Sequence, residues 1–226
     1  MPAAPPVEPL APRWHTAALI ALVVAVAVTG TLLAHPGAAM AVPSGGQGVV
    51  GVYLPMLLVN AGLTFYVCRV GRARNALRSL LGRGWDSLGR ACTDLALASA
   101  AWLVIEGAEA AFATWGRSSA STLLPHTVAE RTVWILVAMT VGFCEEVVYR
   151  GYLQTQLTAF THRASVAIVL QALLFGVAHG DQGVAVALRF GVYGLMLGAL
   201  ARWRRSLWPG IACHVGIDVA SGLLTR

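Results

Sequence analysis

The stretch Gly142–Gly151, GFCEEVVYRG, places two neighbouring glutamates directly after the apolar run 132–143. A run of this kind is typical of a membrane helix, in which each charge at mid-membrane costs about 2.5–3.5 kcal/mol. Glu146 and Arg150 are four residues apart with the glutamate first, which favours an ion pair on one helix face. Glu145 is rotated by about 100° from Glu146. The spacing therefore predicts that Arg150 neutralises Glu146 and that Glu145 is free to act on another group.

The whole chain of 226 residues is apolar, with 57% hydrophobic and 12% charged residues. A soluble domain has about twice that charged fraction, and several apolar stretches reach the roughly 20 residues that cross a bilayer. Seven apolar segments span 16–34, 47–68, 91–115, 131–149, 164–179, 183–201 and 207–224. We therefore predict an all-α, polytopic membrane helix bundle with about seven transmembrane helices, with the lipid bilayer as a partner and no nucleic-acid motif.

The distribution of arginine predicts the orientation of these segments. The link 69–90 contains six arginines and one aspartate, and the link 202–206 contains three arginines. The links between the first and second segments and between the fifth and sixth contain none. By the positive-inside rule the arginine-rich links are cytoplasmic, which also explains the net charge of +6. We expect an integral protein of a bacterial plasma membrane with a cytoplasmic N-terminus.

Two regions precede the glutamates. The proline-rich residues 1–15 predict a disordered cytoplasmic tail, and residues 16–115 predict N-terminal transmembrane helices with a basic cytoplasmic loop. The first apolar segment has a second interpretation as a signal sequence, because residues 38–42, AAMAV, offer a small-residue cleavage site. Its apolar core is long for that role, and cleavage would leave the orientation of the later segments unchanged.

Several polar side chains interrupt the apolar segments. They are Asp94, Glu106, Glu109, Glu145, Glu146, His179, Arg189, His214 and Asp218. Because a charge in lipid is costly, we expect these residues to face the bundle interior and to form a site. We also expect Arg189 to pair with Glu106, Glu109 or Asp218 and so to brace the cavity.

The motif FGVAH, residues 175–179, ends in His179, which we expect to lie near Glu145. It follows a polar link, TAFTHR, centred near residue 161. Glu145 lies sixteen residues before that centre and His179 eighteen after it. If both flanking stretches are helical, with a rise of 1.5 Å per residue, the levels of the two residues differ by only about 3 Å. The hairpin therefore predicts that the free carboxylate lies beside an imidazole.

The sequence HVGID puts His214 and Asp218 one helical turn apart, on a third segment. Each feature taken singly has a structural explanation that is more common than a functional one. A histidine is usually a hydrogen-bonded structural residue, Phe175 would be a core residue, and Glu146–Arg150 would be a structural ion pair. Three polar pairs at helical spacing on three neighbouring segments favour a functional site. Acids and imidazoles that converge in this way can activate water or bind a metal ion.

These three motifs, EEVVYR, FGVAH and HVGID, resemble the EExxxR, FxxxH and Hxxx(N/D) signature of the CPBP family. That family comprises CAAX proteases and bacteriocin-processing enzymes and is also called the Abi family of intramembrane proteases. The run LWPGIACH, residues 207–214, is similar to the family's approach to its last motif. The resemblance covers about residues 131–222, which it implies are the catalytic core. It implies an intramembrane endopeptidase that hydrolyses peptide bonds of a membrane-associated protein or peptide.

The resemblance also implies a role for each motif residue. Glu145 matches the catalytic base, and His179 matches the histidine that holds the attacking water with that base. His214 matches the group that polarises the scissile carbonyl and stabilises the oxyanion. The supporting positions are Glu146, Arg150 and Phe175.

Asp218 departs from this pattern, because CAAX proteases typically have asparagine at its position. An ionised aspartate cannot donate a hydrogen bond to an oxyanion. Asp218 is therefore either protonated or, more economically, orients His214 as the acid of a catalytic triad does. The departure puts prenylated CAAX substrates in doubt. Peptide maturation, bacteriocin immunity and cleavage of a membrane-bound regulator stay open, as does the oligomeric state.

The resemblance implies glutamate-dependent hydrolysis without a cofactor. Zinc or another divalent metal at Glu145, His179 and His214 is the alternative, because these residues and Asp218 are acceptable ligands, although the HExxH pattern is absent. Two other functions compete. An ion- or proton-coupled transporter also uses buried acids and histidines, but the sequence shows no inverted repeat. The other is a non-catalytic membrane immunity or regulatory protein.

Overall fold

The computed structural model describes residues 8–33, 49–73, 80–112 and 124–224, except for the side chains of residues 33, 72–73 and 108–112. These residues form the helices α1 (Arg13–Leu33), α2 (Leu54–Ala73), α3 (Leu88–Phe112), α4 (Val128–Glu145), α5 (Gln154–Thr161), α6 (Ala164–Val177), α7 (Val184–Arg204) and α8 (Trp208–Leu224). A π-helical turn, Val49–Tyr53, precedes α2, and a 3₁₀ turn, Gly180–Gln182, separates α6 from α7. The described part of the chain contains no β-strand.

Within the residues that the structure describes, five helical spans are long and apolar enough to cross a membrane. They are Arg13–Leu32, Val49–Gly71, Leu88–Gly107, Val128–Thr161 and Val184–Arg204. α6 is apolar but shorter, and α8 has 17 residues. Each of the seven predicted segments coincides with a helix, so the prediction of a polytopic all-α bundle is confirmed.

α4 begins at Val128, three residues before the predicted boundary, because a capping box precedes it. The hydroxyl of Thr127 accepts a hydrogen bond from the backbone N–H of Glu130 at 3.2 Å. The Glu130 carboxylate in turn accepts from the backbone N–H groups of Thr127 and His126, each at 2.9 Å. A capping box satisfies backbone donors that the first helical turn leaves unpaired. It fixes the start of the helix that ends at Glu145.

A π-helix, Glu146–Leu153, joins α4 to α5 without interrupting the helical path. All eight of its residues are buried. In a π-helix each N–H bonds to the carbonyl five residues back, and single π turns within α-helices are frequent at functional sites. Sequence periodicity predicted a regular helix here. The wider turn begins at Glu146. The side chains from Glu146 to Arg150 therefore point in directions that a regular α-helix would not give them.

The N-terminal residues that the structure describes differ from the predicted disordered tail. Leu10 and Ala11 are buried, and the side-chain oxygen of Gln156 accepts from their backbone N–H groups at 2.6 and 3.2 Å. The Gln156 amide also donates to the Ala11 carbonyl and to the Thr16 hydroxyl, each at 2.9 Å. A buried glutamine on α5 thus supplies the polar partners that an isolated proline-rich segment lacks. Residues 1–7 lie outside the described part of the chain.

Glycines bring α6 and α7 into close contact. A Cβ atom on Gly176 would lie 2.5 Å from the Ala187 carbonyl oxygen, and one on Gly194 would lie 2.7 Å from the Cα of Ala172. Small residues at such positions allow membrane helices to pack closely.

The two arginine-rich links contact each other at one end of the bundle. The backbone N–H of Arg83 donates to the Arg205 carbonyl at 2.8 Å, and that of Leu207 donates to Leu81 at 3.2 Å. Gly82 has a positive φ of 69°, and a Cβ atom there would lie 2.5 Å from the Arg205 carbonyl. Glycine is therefore required at this crossing. The two links lie at the same end of the bundle, which agrees with the prediction that both are on one side of the membrane.

Asp94 on α3 ties this end of the bundle together. Its fully buried carboxylate accepts from Arg204 Nε at 2.7 Å and from the Trp85 indole at 3.1 Å. Arg90 lies 4.0 Å from the same carboxylate and donates to the Arg204 carbonyl at 3.1 Å. The contact connects α3 with the end of α7 and so supports the turn into α8.

Replacing Asp94 by asparagine should lower the free energy of unfolding by about 3–5 kcal/mol, because it leaves a largely buried arginine without its counter-charge. Chemical unfolding of the purified protein in detergent micelles measures the change. Asp86→Asn is the matched control, because Asp86 and its partner Arg83, 3.5 Å away, are each 63% exposed. The control should cost about 0–1 kcal/mol. Equal losses in the two variants would contradict a role for the Asp94 contact.

Candidate active site

The predicted contact between Glu146 and Arg150 is present and fully buried. Arg150 Nη1 lies 3.0 Å from Glu146 Oε1, and neither side chain has exposed surface. The same carboxylate oxygen accepts a hydrogen bond from Nδ1 of His214 at 3.1 Å. A buried carboxylate is tolerated only with such partners. Glu146 therefore joins the π-helix to α8 through one arginine and one histidine.

The other nitrogen of His214 faces two further carboxylates. Its Nε2 lies 3.7 Å from Glu145 Oε2 and 3.7 Å from Asp218 Oδ2. Both distances exceed the range of a normal hydrogen bond. The side chains of Glu145 and Asp218 are 16% and 27% exposed, whereas that of Glu146 is fully buried. The structure thus brings together four sequence-predicted site residues and distinguishes one tightly held glutamate from one accessible glutamate.

The aromatic ring of Phe175 packs against this cluster. The Arg150 guanidinium carbon lies 4.3 Å from the centre of its ring, within the range of a cation–π interaction. The ring also makes edge contacts with Tyr149 at 5.0 Å and with His214 at 5.9 Å. Phe175 is 1% exposed. It therefore packs against the supporting ion pair and against the histidine of the third motif.

His179 lies beside Phe175, and its backbone conformation differs from the predicted one. α6 ends at Val177, so His179 occupies a turn with φ −107° and ψ 14°, and helical rise does not set its level. Among the described residues, Glu145 forms its ion pair with His214, and no ion pair joins it to His179. The calculation that placed Glu145 beside His179 assumed two regular helices, and their proximity stays a prediction.

Gly210 on α8 allows Glu146 to approach. A Cβ atom at this position would lie 2.8 Å from Glu146 Oε2, closer than real side chains come to neighbouring atoms. That oxygen has no hydrogen-bond partner in the described part of the protein. The glycine of the LWPGIACH run therefore makes room for the buried carboxylate four residues before His214.

Trp134 on α4 holds α8 from the opposite side. Its indole N–H donates to the backbone carbonyl of Asp218 at 2.7 Å, and its ring packs against Gly222. Tyr53, 1% exposed, makes an edge contact with the same ring at 5.5 Å. An isolated tryptophan in an apolar run gave no signal in the sequence for this role.

The remaining polar residues of the apolar segments do not all join the cluster. Asp94 is buried at the arginine-rich end, and Glu106 is exposed and accepts from the Trp102 indole at 2.9 Å. For these two residues the prediction of a shared site is wrong, because Asp94 pairs with Arg204 at the end of α7 and Glu106 with Trp102 on its own helix. The side chain of Glu109 lies outside the described part, and the pairing of Arg189 with an acid stays a prediction.

Metal binding was the open alternative for this cluster. Within the described residues, no group of three or more histidine, cysteine, aspartate or glutamate side chains is arranged to hold a metal ion. Metal independence stays a prediction, because the chemistry of a bound group is not tested by this geometry.

Together, the fold and the site define a helical membrane protein with a buried acid–arginine–imidazole centre. Residues 127–220, from the capping residue of α4 to α8, match the family described as Rce1-like, type II CAAX prenyl endopeptidase Rce1-like. This segment is therefore similar to a family of membrane proteases, in agreement with the resemblance that the sequence motifs carry. No curated protein and no solved structure matches the chain.

Replacing Gly210 by alanine should displace the Glu146 carboxylate from its partners, because the added Cβ atom overlaps it. We expect a loss of about 1–3 kcal/mol in the free energy of unfolding, as for other overpacked cores. Gly89→Ala is the matched control, because a Cβ atom on Gly89 in α3 meets nothing within 4 Å. The control should be neutral or stabilising by up to about 1 kcal/mol. A stable Gly210→Ala protein would contradict the close approach.

Proposed function

We propose that Glu145, His179, His214 and Asp218 hydrolyse a peptide bond of a membrane-associated protein or peptide without a metal cofactor. Glu145 acts as the general base that takes a proton from the attacking water, and His179 holds that water together with Glu145. His214 polarises the scissile carbonyl and stabilises the oxyanion. A base and an oriented hydrogen-bond donor are the two components that acyl transfer to water requires.

The unequal environment of the two glutamates is the observation that carries this assignment. Glu146 Oε1 is held by Arg150 at 3.0 Å and by His214 at 3.1 Å. The nearest ion-pair contact of Glu145 is 3.7 Å away, and its side chain retains accessible surface. A general base needs a lone pair within reach of water, which Glu145 retains. Glu146 instead maintains the arrangement of α8 against the π-helix.

His214 is suited to oxyanion stabilisation by its two different nitrogens. Because a carboxylate only accepts hydrogen bonds, the contact with Glu146 makes Nδ1 a donor and fixes the ring plane. Nε2 carries the second proton of an imidazolium, which the carboxylates of Glu145 and Asp218, each 3.7 Å away, favour by their charge, and it donates that N–H to a substrate carbonyl that approaches between them. Asp218, 3.7 Å from Nε2, supports the triad-like role in which the acid orients the imidazole.

The cluster lies nearer the end of the bundle that carries the arginine-rich links. His214 is six residues into α8, about 9 Å from its start at 1.5 Å per residue. With those links in the cytoplasm, substrate and water reach the site from the cytoplasmic side. We assign the chain to a bacterial plasma membrane with a cytoplasmic N-terminus. The substrate is a membrane-associated protein or peptide.

Replacing Glu145 by glutamine should reduce cleavage by about 10²–10⁴-fold, the usual contribution of a general base. The substitution keeps the size of the side chain, so the fold and the 3.7 Å contact with His214 need not change. We would compare new peptide termini, by mass spectrometry, in membranes from cells that express the wild type or Glu145→Gln at equal abundance.

Asp86→Asn serves as the control in this comparison, because Asp86 is exposed and distant from α8 in the chain. Termini produced by the wild type and the control, but lost in Glu145→Gln, support the proposal and identify substrates. Identical termini in all three strains, over several growth conditions, contradict it and favour transport or a regulatory role.

A further inference from the structure

His179 needs tertiary contacts to fix its side chain, because its backbone does not lie in a regular helix. It follows Ala178, the last capping residue of α6, and precedes the short 3₁₀ turn that leads to α7. A histidine in a turn has no neighbouring helical turn to restrict its rotamer. The orientation of the imidazole is therefore set by the groups that surround it.

Phe190 and Phe175 contact the ring on one face, on one edge and at Nδ1. The ring of Phe190 on α7 is stacked on the imidazole, with a centroid distance of 3.7 Å and an interplanar angle of 5°. The Phe175 carbonyl accepts a hydrogen bond from Nδ1 at 2.8 Å, and the Phe175 ring contacts the imidazole edge-on at 4.9 Å. With Nδ1 as the donor, a neutral imidazole has its lone pair on Nε2.

The close packing of α6 and α7 places Phe190 at this stacking distance. Gly176 and Gly194 allow the two backbones to approach, and both lie near Phe190 along the helix contact. Phe190 is further supported by the rings of Phe175 at 5.8 Å and Tyr193 at 5.4 Å. Its position is thus determined by helix packing and not by the imidazole itself.

We propose that Phe190 is a positioning residue that holds the imidazole of His179 so that its Nε2 lone pair faces the reaction site. The inference rests on the proposed function, in which His179 holds the attacking water with Glu145. Phe190 itself touches no reacting atom in this assignment. It acts by restricting the plane of the imidazole. In that plane the tautomer that the Phe175 carbonyl selects directs its Nε2 lone pair towards the attacking water.

The first test measures His179 without a substrate. Diethylpyrocarbonate modifies the unprotonated nitrogen of an accessible imidazole, and peptide mass spectrometry gives the rate at His179 in the purified protein in micelles. Phe190→Leu should change this rate several-fold, because the stacked face is lost, whereas Phe190→Tyr should keep the wild-type rate. Phe65→Leu is the matched control, because Phe65 on α2 is 70% exposed. An unchanged rate in Phe190→Leu would overturn the proposal.

The second test measures cleavage of a substrate identified by its Glu145-dependent terminus. We expect Phe190→Leu to lower the rate by about 10²-fold, as misplacement of a catalytic group by about 1 Å does, and Phe190→Tyr to restore it. The thermal midpoints of both variants have to match that of the wild type. If Phe190→Leu cleaves at the wild-type rate and Glu145→Gln stays inactive, the positioning role of Phe190 is overturned and the proposed function stands. If no Glu145-dependent terminus is found, the proposed function fails, and the diethylpyrocarbonate test still decides the contact between Phe190 and His179.

Discussion

The burial of Glu146 is the constraint on which the rest of the site depends. A carboxylate without accessible surface costs several kcal/mol unless charged and hydrogen-bonding partners compensate, and here Arg150 and His214 do so on one oxygen. The other oxygen lies where only a glycine leaves room. Three elements are therefore tied to one side chain: the π-helix through Glu146 and Arg150, α8 through His214 and Gly210, and α6 through Phe175 beneath the guanidinium.

The composition and periodicity of the sequence were sufficient to predict the architecture. The number, order and approximate bounds of the helices follow from the apolar segments, because a membrane allows few alternatives to a helix for such stretches. The Glu146–Arg150 contact also follows from spacing, because residues four apart on a helix are neighbours regardless of how that helix packs.

The errors arise where local backbone geometry departs from a regular helix. His179 lies beyond the end of α6, and a π-helix begins at Glu146, so a calculation from helical rise could not give the relative positions of Glu145 and His179. The stacking of Phe190, the hydrogen bond of Trp134 to the Asp218 carbonyl and the requirement for Gly210 depend on contacts between helices. A single aromatic residue or glycine in an apolar run carries no signal for such contacts.

The contact between Arg204 and Asp94 has a consequence for the biogenesis of the protein. Arg204 belongs to the arginine-rich link that the positive-inside rule predicts to be cytoplasmic, and insertion into the bilayer precedes tertiary packing. The same guanidinium later binds Asp94 at 2.7 Å and holds the turn that leads into α8. A lysine would preserve the orienting charge but would replace the planar guanidinium by a point charge. Residue 204 therefore has two separate requirements: the positive charge that the predicted topology needs and the guanidinium that binds Asp94.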